Sequence, residues 1–244
     1  KIIGICSNKD ENGTARQIYA LVKTGKYDLV VPTTDFSAMI LAKYRNKYIK
    51  YCQLASNTWD IYQIAADKNK TMRVCTDLGV PCPKTLFNVD SLDKMVGLSY
   101  PIVVKPKIGY GAIGFHRVDS PEDLEALFKG VSSKNIQQYV FQEYIPQTDI
   151  QYECAVFMDD NNQAKTALVF SKNRWFPVNG GSSTLNITVE RPDIVESCVK
   201  LLQAINWRGA ADIDLIQDPR DGKAKIMEIN PRVSGSVKIA FVAG

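Results

Sequence analysis

The sequence predicts a small α/β unit of the doubly wound kind over residues 1–83, followed by a larger α+β body over residues 84–244. Three observations carry this expectation. Up to about Ser56 short apolar runs alternate with helical ones, Pro81 and Pro83 then interrupt the chain, and beyond them strands and helices mix without a regular strand–helix–strand repeat.

In the first unit KIIGIC, YDLVVP and IKYCQLAS read as strands, with TARQIYALVKTG and TDFSAMILAKYRN as the helices between them. Strand–helix–strand at this spacing makes a parallel sheet. TTDFS follows YDLVVP directly and supplies N-cap residues at the carboxyl end of a strand, where such sheets hold ligands; an ordinary helix cap explains it equally well. NTWDIYQIAADKNKTMRVCTDLGVPCPKT reads as two helical segments meeting at Asp67-Lys68, closed by Gly79, Pro81 and Pro83.

In the body, SYPIVVKP and HRVDS form a hairpin around KPKIGYGAIG, and PEDLEALFKGV is a helix with acidic residues in its first turn, as the helix dipole prefers. YVFQEYI, IQYECAVFMDD and AKTALVFSKN are strands, with DDNNQ as a turn. RPDIVESCVKLLQAIN is an amphipathic helix. AADIDLIQD and KAKIMEIN make a second hairpin about DPRDGK, and a helical stretch closes the sequence. The chain starts inside a strand pattern and stops inside a helical one, which predicts a fragment of a longer protein.

Composition narrows the function. The 244 residues are 45% hydrophobic and 23% charged, enough for a real core in one large or two modest domains. Thirty Lys+Arg against twenty-six Asp+Glu give a formal charge of +4, evenly scattered, which argues against nucleic acid but admits anionic small molecules. No apolar run approaches the roughly eighteen residues of a membrane span, and no leader pattern is present, so a cytoplasmic location without membrane contact is the default expectation. Six cysteines without a C-x-x-C pair and a single histidine, His116, make zinc and a disulfide framework improbable and predict free, mostly buried thiols. One histidine also weakens any hydrolase triad.

The residues that carry chemistry fall into three groups. In MEINPR, Glu228, Asn230 and Arg232 are spaced two apart, so strand alternation puts all three on one side. On the neighbouring strand Asp214 can face Glu228. Two carboxylates and an amide oxygen repel unless a cation sits between them, and oxygen-only ligands suit magnesium; a solvated strand face is the plain alternative. Arg232 adds a fork for phosphate or carboxylate, and magnesium beside arginine suggests a polyphosphate.

The second group is KPKIGYGAIGF, where Gly109, Gly111 and Gly114 let backbone amides approach an anion and Lys105 reaches into the same pocket. It is not a Walker loop, since no Gly-Lys-Ser/Thr closes it, nor a dinucleotide fingerprint, since a strand rather than a helix follows its G-x-G-x-x-G. A plain hairpin turn is the alternative. The third is FQEYIP, a strand leading into a hinge whose backbone could read an adenine edge.

The order of these pieces, from Asp-Lys before Pro-x-Pro through YPIVVKP, the glycine hairpin, QEYIP, a Glu-bearing strand, GGSST and ADIDLI to MEINPR, resembles the ATP-grasp superfamily. The closing MEINPRVSGS is similar to the carbamoyl-phosphate synthetase and biotin carboxylase group. The resemblance covers about Asp67 to Gly244, and the run before it is similar to the family's Rossmann-like pre-ATP-grasp domain. It implies residues 1–83 as that domain and 84–244 as an ATP-grasp domain of two lobes. It also implies ATP with magnesium, or manganese, as cofactors.

Carried over by position, Lys68, Lys105 and Lys107 would meet ATP phosphates under a loop formed by Gly109, Gly111 and Gly114. Glu143, Tyr144 and Ile145 would form the hinge at adenine, and Glu153 would sit near the ribose. Asp214, Glu228 and Asn230 would bind the metal, and Arg232 with Lys105 would act on the transferred phosphate. The first carboxylate is Asp214 where glutamate is common. Lys172 and Arg174 fall where the family keeps a mobile loop near the acceptor; binding a substrate carboxylate and being an exposed basic loop both explain them.

The implied activity is ATP-dependent ligation of a carboxylate to an amine or thiol through an acyl phosphate, with a homodimer or a partner subunit left open. A nucleotide-binding module or a synthetase subunit without independent turnover is the alternative. A nicotinamide dehydrogenase lacks a G-x-G-x-x-G after its first strand.

Overall fold

The computed structural model describes residues 10–95, 97–109, 113–146, 150–176 and 182–243. Helix α1 (Glu11–Val22), strand β1 (Leu29–Val30), helix α2 (Asp35–Lys43), the short helix α3 (Arg45–Tyr48) and strand β2 (Gln53–Leu54) come first. β1 and β2 pair in parallel, Leu29 with Gln53. KIIGIC, the expected first strand, lies outside the described residues. IKYCQLAS is shorter as a strand than expected, because the preceding helical turn ends at Tyr48 and only Gln53–Leu54 pairs. Tyr48 is fully buried among Ala15, Val22, Ile40 and Leu41, and its hydroxyl donates to the Ala15 carbonyl at 3.0 Å. α2 starts on a capping box: the Ser37 N–H donates to Thr34 Oγ1 and the Thr34 N–H to Ser37 Oγ, both at 3.1 Å.

Two helices follow, α4 (Trp59–Ala66) and α5 (Lys68–Leu78). They break at Asp67, whose carboxylate accepts the N–H groups of Asn69 and Lys70 and so starts a new helix with Lys68 as its first residue. Gly79, at φ +66°, ends α5 in the left-handed conformation that glycine adopts without strain.

Strands β3 (Thr85–Leu86), β4 (Ile102–Pro106) and β5 (His116–Val118), helices α6 (Pro121–Leu127) and α7 (Ser133–Ile136) and strand β6 (Tyr139–Glu143) form one layer. Its sheet runs in the order β3-β6-β4-β5 over a core of Ile102, Val104, Val118, Leu124, Phe128 and Phe141. β4 and β5 are antiparallel, so the glycine segment between them is a hairpin connection, as the sequence predicts. His116 is an exposed strand residue.

The second layer is a five-stranded antiparallel sheet built from β7 (Gln151–Met158), β8 (Ala164–Phe176), β9 (Ser182–Val189), β10 (Gly209–Gln217) and β11 (Ala224–Asn230), in the order β11-β10-β7-β8-β9. Helix α8 (Pro192–Ala204) joins β9 to β10, and α9 (Val237–Ala243) closes the chain. α8 buries Ile194, Cys198, Leu201 and Leu202, the stripe of an amphipathic helix. That stripe and Met72 and Cys75 of α5 pack with Cys154, Val156, Ala211, Ile213, Leu215 and Ile226 of the sheet in the largest core. One face of the sheet is thus apolar, and alternation forces the polar residues of the same strands onto the other.

Cys75, Cys154 and Cys198 are buried free thiols and Cys52 and Cys82 are partly buried ones. Among the described residues no helix is long and apolar enough to cross a membrane.

Candidate active site

The polar face of the five-stranded sheet gathers the charges. In β10, Ala211, Ile213 and Leu215 point to the core, so Asp212 and Asp214 point away from it. Antiparallel pairing sets Asp214 opposite Glu228 of β11 on one side and opposite Glu153 of β7 on the other, and sets Asp212 opposite Asn230. A bulge after Asp214 absorbs Met227, which keeps Ile226 in the core while Glu228 turns to the polar face. The Asn230 amide donates to Asp214 Oδ2 at 3.1 Å, leaving its oxygen as an acceptor.

Arg232 reaches this face by a different route from the one its spacing suggests. β11 ends at Asn230, and the Arg232 N–H donates back to the Asn230 carbonyl at 2.9 Å, a tight three-residue turn about Pro231. Its guanidinium lies 3.6 Å from Asp35 and 3.9 Å from Asp212. The TTDFS segment therefore has two parts: Thr34 is a helix cap, while Asp35 faces Arg232. A main-chain hydrogen bond from Val233 to the Pro32 carbonyl ties the same segments together.

Lys68 is the junction between the layers. From the first turn of α5 its ammonium donates to the Gly109 carbonyl at 2.8 Å and pairs with Glu228 at 2.9 Å, and its N–H donates to the Lys107 carbonyl at 2.9 Å. The glycine hairpin is thus fastened to the MEINPR strand through one lysine. Lys107 contributes its main chain, giving its N–H to Gln138 and its carbonyl to Lys68. Gly114, at φ +75°, lies so close to Pro106 that a Cβ would stand 2.9 Å from that ring, so only glycine fits. Gly111 lies outside the described residues. Lys105 is buried at the end of β4; desolvation pushes its ammonium down to about 8, against the pull of Glu228 and Asp214.

Two acidic side chains sit deeper than the sequence suggests. Glu153, expected beside a ribose, is only 5% exposed, and its carboxylate accepts from Ser234 and Ser236 just beyond β11. Burial, then Asp214 and Glu153, hold the Asp212 carboxyl well above the usual carboxylate range. Its Oδ1 is buried without a hydrogen-bond partner.

The side chain whose partners sequence reasoning did not find is Lys172. It lies in strand β8, as AKTALVFSKN predicts, but is not the exposed loop cation of the alternative reading: its ammonium pairs with Asp214 and lies 3.9 Å from Glu153. Burial opposes its charge, yet Asp214, Glu153 and Asp212 outweigh burial and hold the ammonium above its ordinary value. Arg174, two residues on, is also in β8 but exposed. The strand pairing alone brings Lys172 into the cluster, by placing it opposite Gln151 on the Glu153 face of β7. Ser234 and Ser236 were missed for the same reason.

At the hinge, the Glu143 N–H donates to the Lys84 carbonyl, and its carboxylate accepts from the Lys84 N–H, Arg220 and Lys225. Arg220 and Lys225 both hold Asp218, which locks the hinge to the β10–β11 hairpin. Tyr144 lies under the Arg117 guanidinium and Ile145 is buried. A cavity of about 420 Å³ is lined by Pro81, Cys82, Lys84, Glu143 and Lys225, and Asp214, Glu228 and Asn230 are not part of its wall.

Asp214 and Glu228 offer oxygen atoms from directly paired positions, with Asn230 two residues further along β11, and both carboxylates are about a quarter exposed, so the set fits a hard cation such as magnesium. Among the described residues no group of three or more His, Cys, Asp or Glu is arranged to hold a metal by itself. Phosphate oxygens would complete such a shell.

With two layers, a glycine hairpin and a carboxylate-bearing antiparallel sheet in place, the comparisons fall into one class. The model of the ATP-grasp domain matches residues 65–236, and the chain belongs to the ATP-grasp family. It is 26% identical over 197 residues to a D-alanine–D-alanine ligase of Thermoanaerobacter sp. (strain X514), covering 73% of this chain and 54% of the relative. It is 22% identical over 230 residues to a D-aspartate ligase of Enterococcus faecium (strain Aus0004), covering 86% and 54%. The biotin carboxylase domain of Hydrogenobacter thermophilus 2-oxoglutarate carboxylase, solved with MgADP, ADP and bicarbonate, superposes with a TM-score of 0.76 at 18% identity, over 97% of this chain and 55% of that one. The chain spans about half the length of the relatives it matches.

Proposed function

We propose that this chain is the nucleotide-binding and catalytic part of an ATP-dependent, ADP-forming ligase that activates a carboxylate as an acyl phosphate and passes it to an amine or thiol. The observation that carries this reading is the convergence of Lys68, Lys105 and Arg232 with Asp214, Glu228 and Asn230 where the two layers meet. The ligase names of the sequence relatives support the carboxylate–amine version, with amino acids as the substrate class.

In this reading Lys68, Lys105, Lys107 and the amides of the Gly109–Gly114 loop receive the phosphates of ATP, and the hinge at Glu143, Tyr144 and Ile145 receives adenine. Magnesium, held by Asp214, Glu228 and Asn230, would neutralise phosphate charge. The substrate carboxylate oxygen attacks the γ-phosphorus as the bond to the ADP oxygen breaks, while Lys68, Lys105 and Arg232 offset charge on the equatorial oxygens. The nucleophile then adds to the acyl carbon and inorganic phosphate leaves. The glycine hairpin, fastened by Lys68, keeps water from the acyl phosphate. Positioning and electrostatics suffice, which accords with a chain holding one histidine.

The parallel β1–β2 pair and its helices belong to a Rossmann-like pre-ATP-grasp unit, with the division of the chain at residue 83 as part of the same proposal. A nucleotide-binding subunit that turns over only within a larger synthetase is the second reading. ADP release measured with a carboxylate and an amine separately and together tests the first. Release should require both and vanish in Glu228→Ala; ADP formation that is equal with and without acceptors refutes ligation.

A further inference from the structure

Every carboxylate of the candidate metal set already holds an ammonium from its own chain. Glu228 pairs with Lys68 at 2.9 Å, and Asp214 pairs with Lys172, which also stands 3.9 Å from Glu153. The two lysines differ in origin. Lys68 comes from α5 and is shared with the Gly109 carbonyl, whereas Lys172 rises from the sheet itself, on β8, with only 14% of its side chain exposed. A divalent cation arriving alone would have to displace Lys172 from Asp214 and leave a buried ammonium with, among the described residues, only the more distant Glu153 and Asp212 beside it. A buried charge deprived of its partner is strongly destabilising. A cation arriving with nucleotide phosphates brings the replacement partner with it.

We propose that Lys172 is a resident counter-ion that closes the Asp214–Glu228 site to free divalent cations, so that the cation enters only together with nucleotide phosphates, to which the Lys172 ammonium is handed over. This deepens the function proposed above and rests on it for the identity of the ligand, but the lock on Asp214 is a property of the chain alone. It also gives the lysine a role after entry: released from Asp214, it becomes a third ammonium beside Lys68 and Lys105 on the phosphoryl group. Lys172 is a positioning residue for the cation and nucleotide in this scheme.

The test is a gain of binding. Free Mn²⁺, followed by the loss of its six-line electron paramagnetic resonance signal, is titrated into the full chain without nucleotide. Wild type should leave the signal unchanged until ADP is added. Lys172→Met, with Asp214 and Glu153 unpaired, should take up Mn²⁺ alone, with a dissociation constant of about 10⁻⁴–10⁻³ M as for weak oxygen-ligand sites. Lys172→Arg should restore the lock, and Lys172→Met/Asp214→Asn should abolish the gain; circular dichroism confirms that each is folded, with Lys172→Gln taking the place of a Met variant that is not. Mn²⁺ uptake by wild type alone, equal to that of Lys172→Met, overturns the proposal. So does a folded Lys172→Met that gains no Mn²⁺. If no variant binds Mg-ADP the ligase reading fails, while the nucleotide-free comparison still decides the role of Lys172.

Discussion

Replacing Asp218 by Asn should destabilise the chain at neutral pH and cost progressively less in acid. The Asp218 carboxylate is 1% exposed, accepts the Arg220 N–H and Nε at 2.9 Å each, and pairs with Arg220 at 2.6 Å and with Lys225 at 2.6 Å. Arg220 in the first place, then Lys225 and the Arg220 N–H, hold its carboxyl well below the ordinary 3.8. A hydrogen bond to a charged group is worth about 1.5–3 kcal/mol, but the Arg220 side chain is 46% exposed and its share is screened by solvent. Lys225, 11% exposed, and the main-chain N–H therefore set the magnitude, and Asn can still accept from the latter. The net loss is about 2 kcal/mol at pH 7, or about 4–8 °C in Tm for a chain of this size.

The sign follows from the depressed value. A carboxyl whose pKa is lowered by folding contributes stability above its unfolded 3.8 and loses it as pH falls toward the folded value. Urea unfolding of wild type and Asp218→Asn at pH 7 and at about pH 3 measures the difference with the other carboxylates cancelled. A difference that is the same at both pH values, or absent at pH 7, refutes the argument that the ion pairs stabilise the β10–β11 turn.

Three further outcomes follow from single residues. Lys105→Met should leave stability at pH 7 unchanged or raised, because burial disfavours that ammonium, while weakening ADP binding at least tenfold; calorimetric titration beside a thermal scan checks the split. Gly114→Ala should cost about 1–2 kcal/mol, from the φ of +75° and the 2.9 Å approach to Pro106, read in the urea midpoint. Leu201→Ala, at a fully buried position of α8, should cost about 2–5 kcal/mol in the same assay, with the nucleotide-dependent rise in Tm retained.

Much of the architecture was legible because it is written in short-range chemistry. Alternation about Ile213 and Ile229 puts Asp214, Glu228 and Asn230 off the core face, and the DPRDGK turn makes the two strands an antiparallel pair, but the turn's register would set Asp214 opposite Met227, and only the bulge brings Glu228 there. Asp67 beside Lys68 announces a helix start, and Gly79 a helix end, through capping groups a few residues apart. Other features required the assembled sheet. The reach of Arg232 depends on a turn about Pro231 and on Asp35, almost two hundred positions away in the chain. The position of Glu153, buried beneath Ser234 and Ser236, depends on β7 lying beside β10. Lys172 stands at the end of the predicted strand AKTALVFSKN with its partners unidentified, because nothing within that stretch records which strand will lie beside it. The sequence by itself determined which side chains leave the core face wherever plain alternation holds, since that is a matter of local geometry; the bulge at Met227 needed the paired strand. Only the order of the strands, fixed by the apolar face packing on α5 and α8, decided which charges meet, because a Coulomb contact depends on distance in space rather than along the chain.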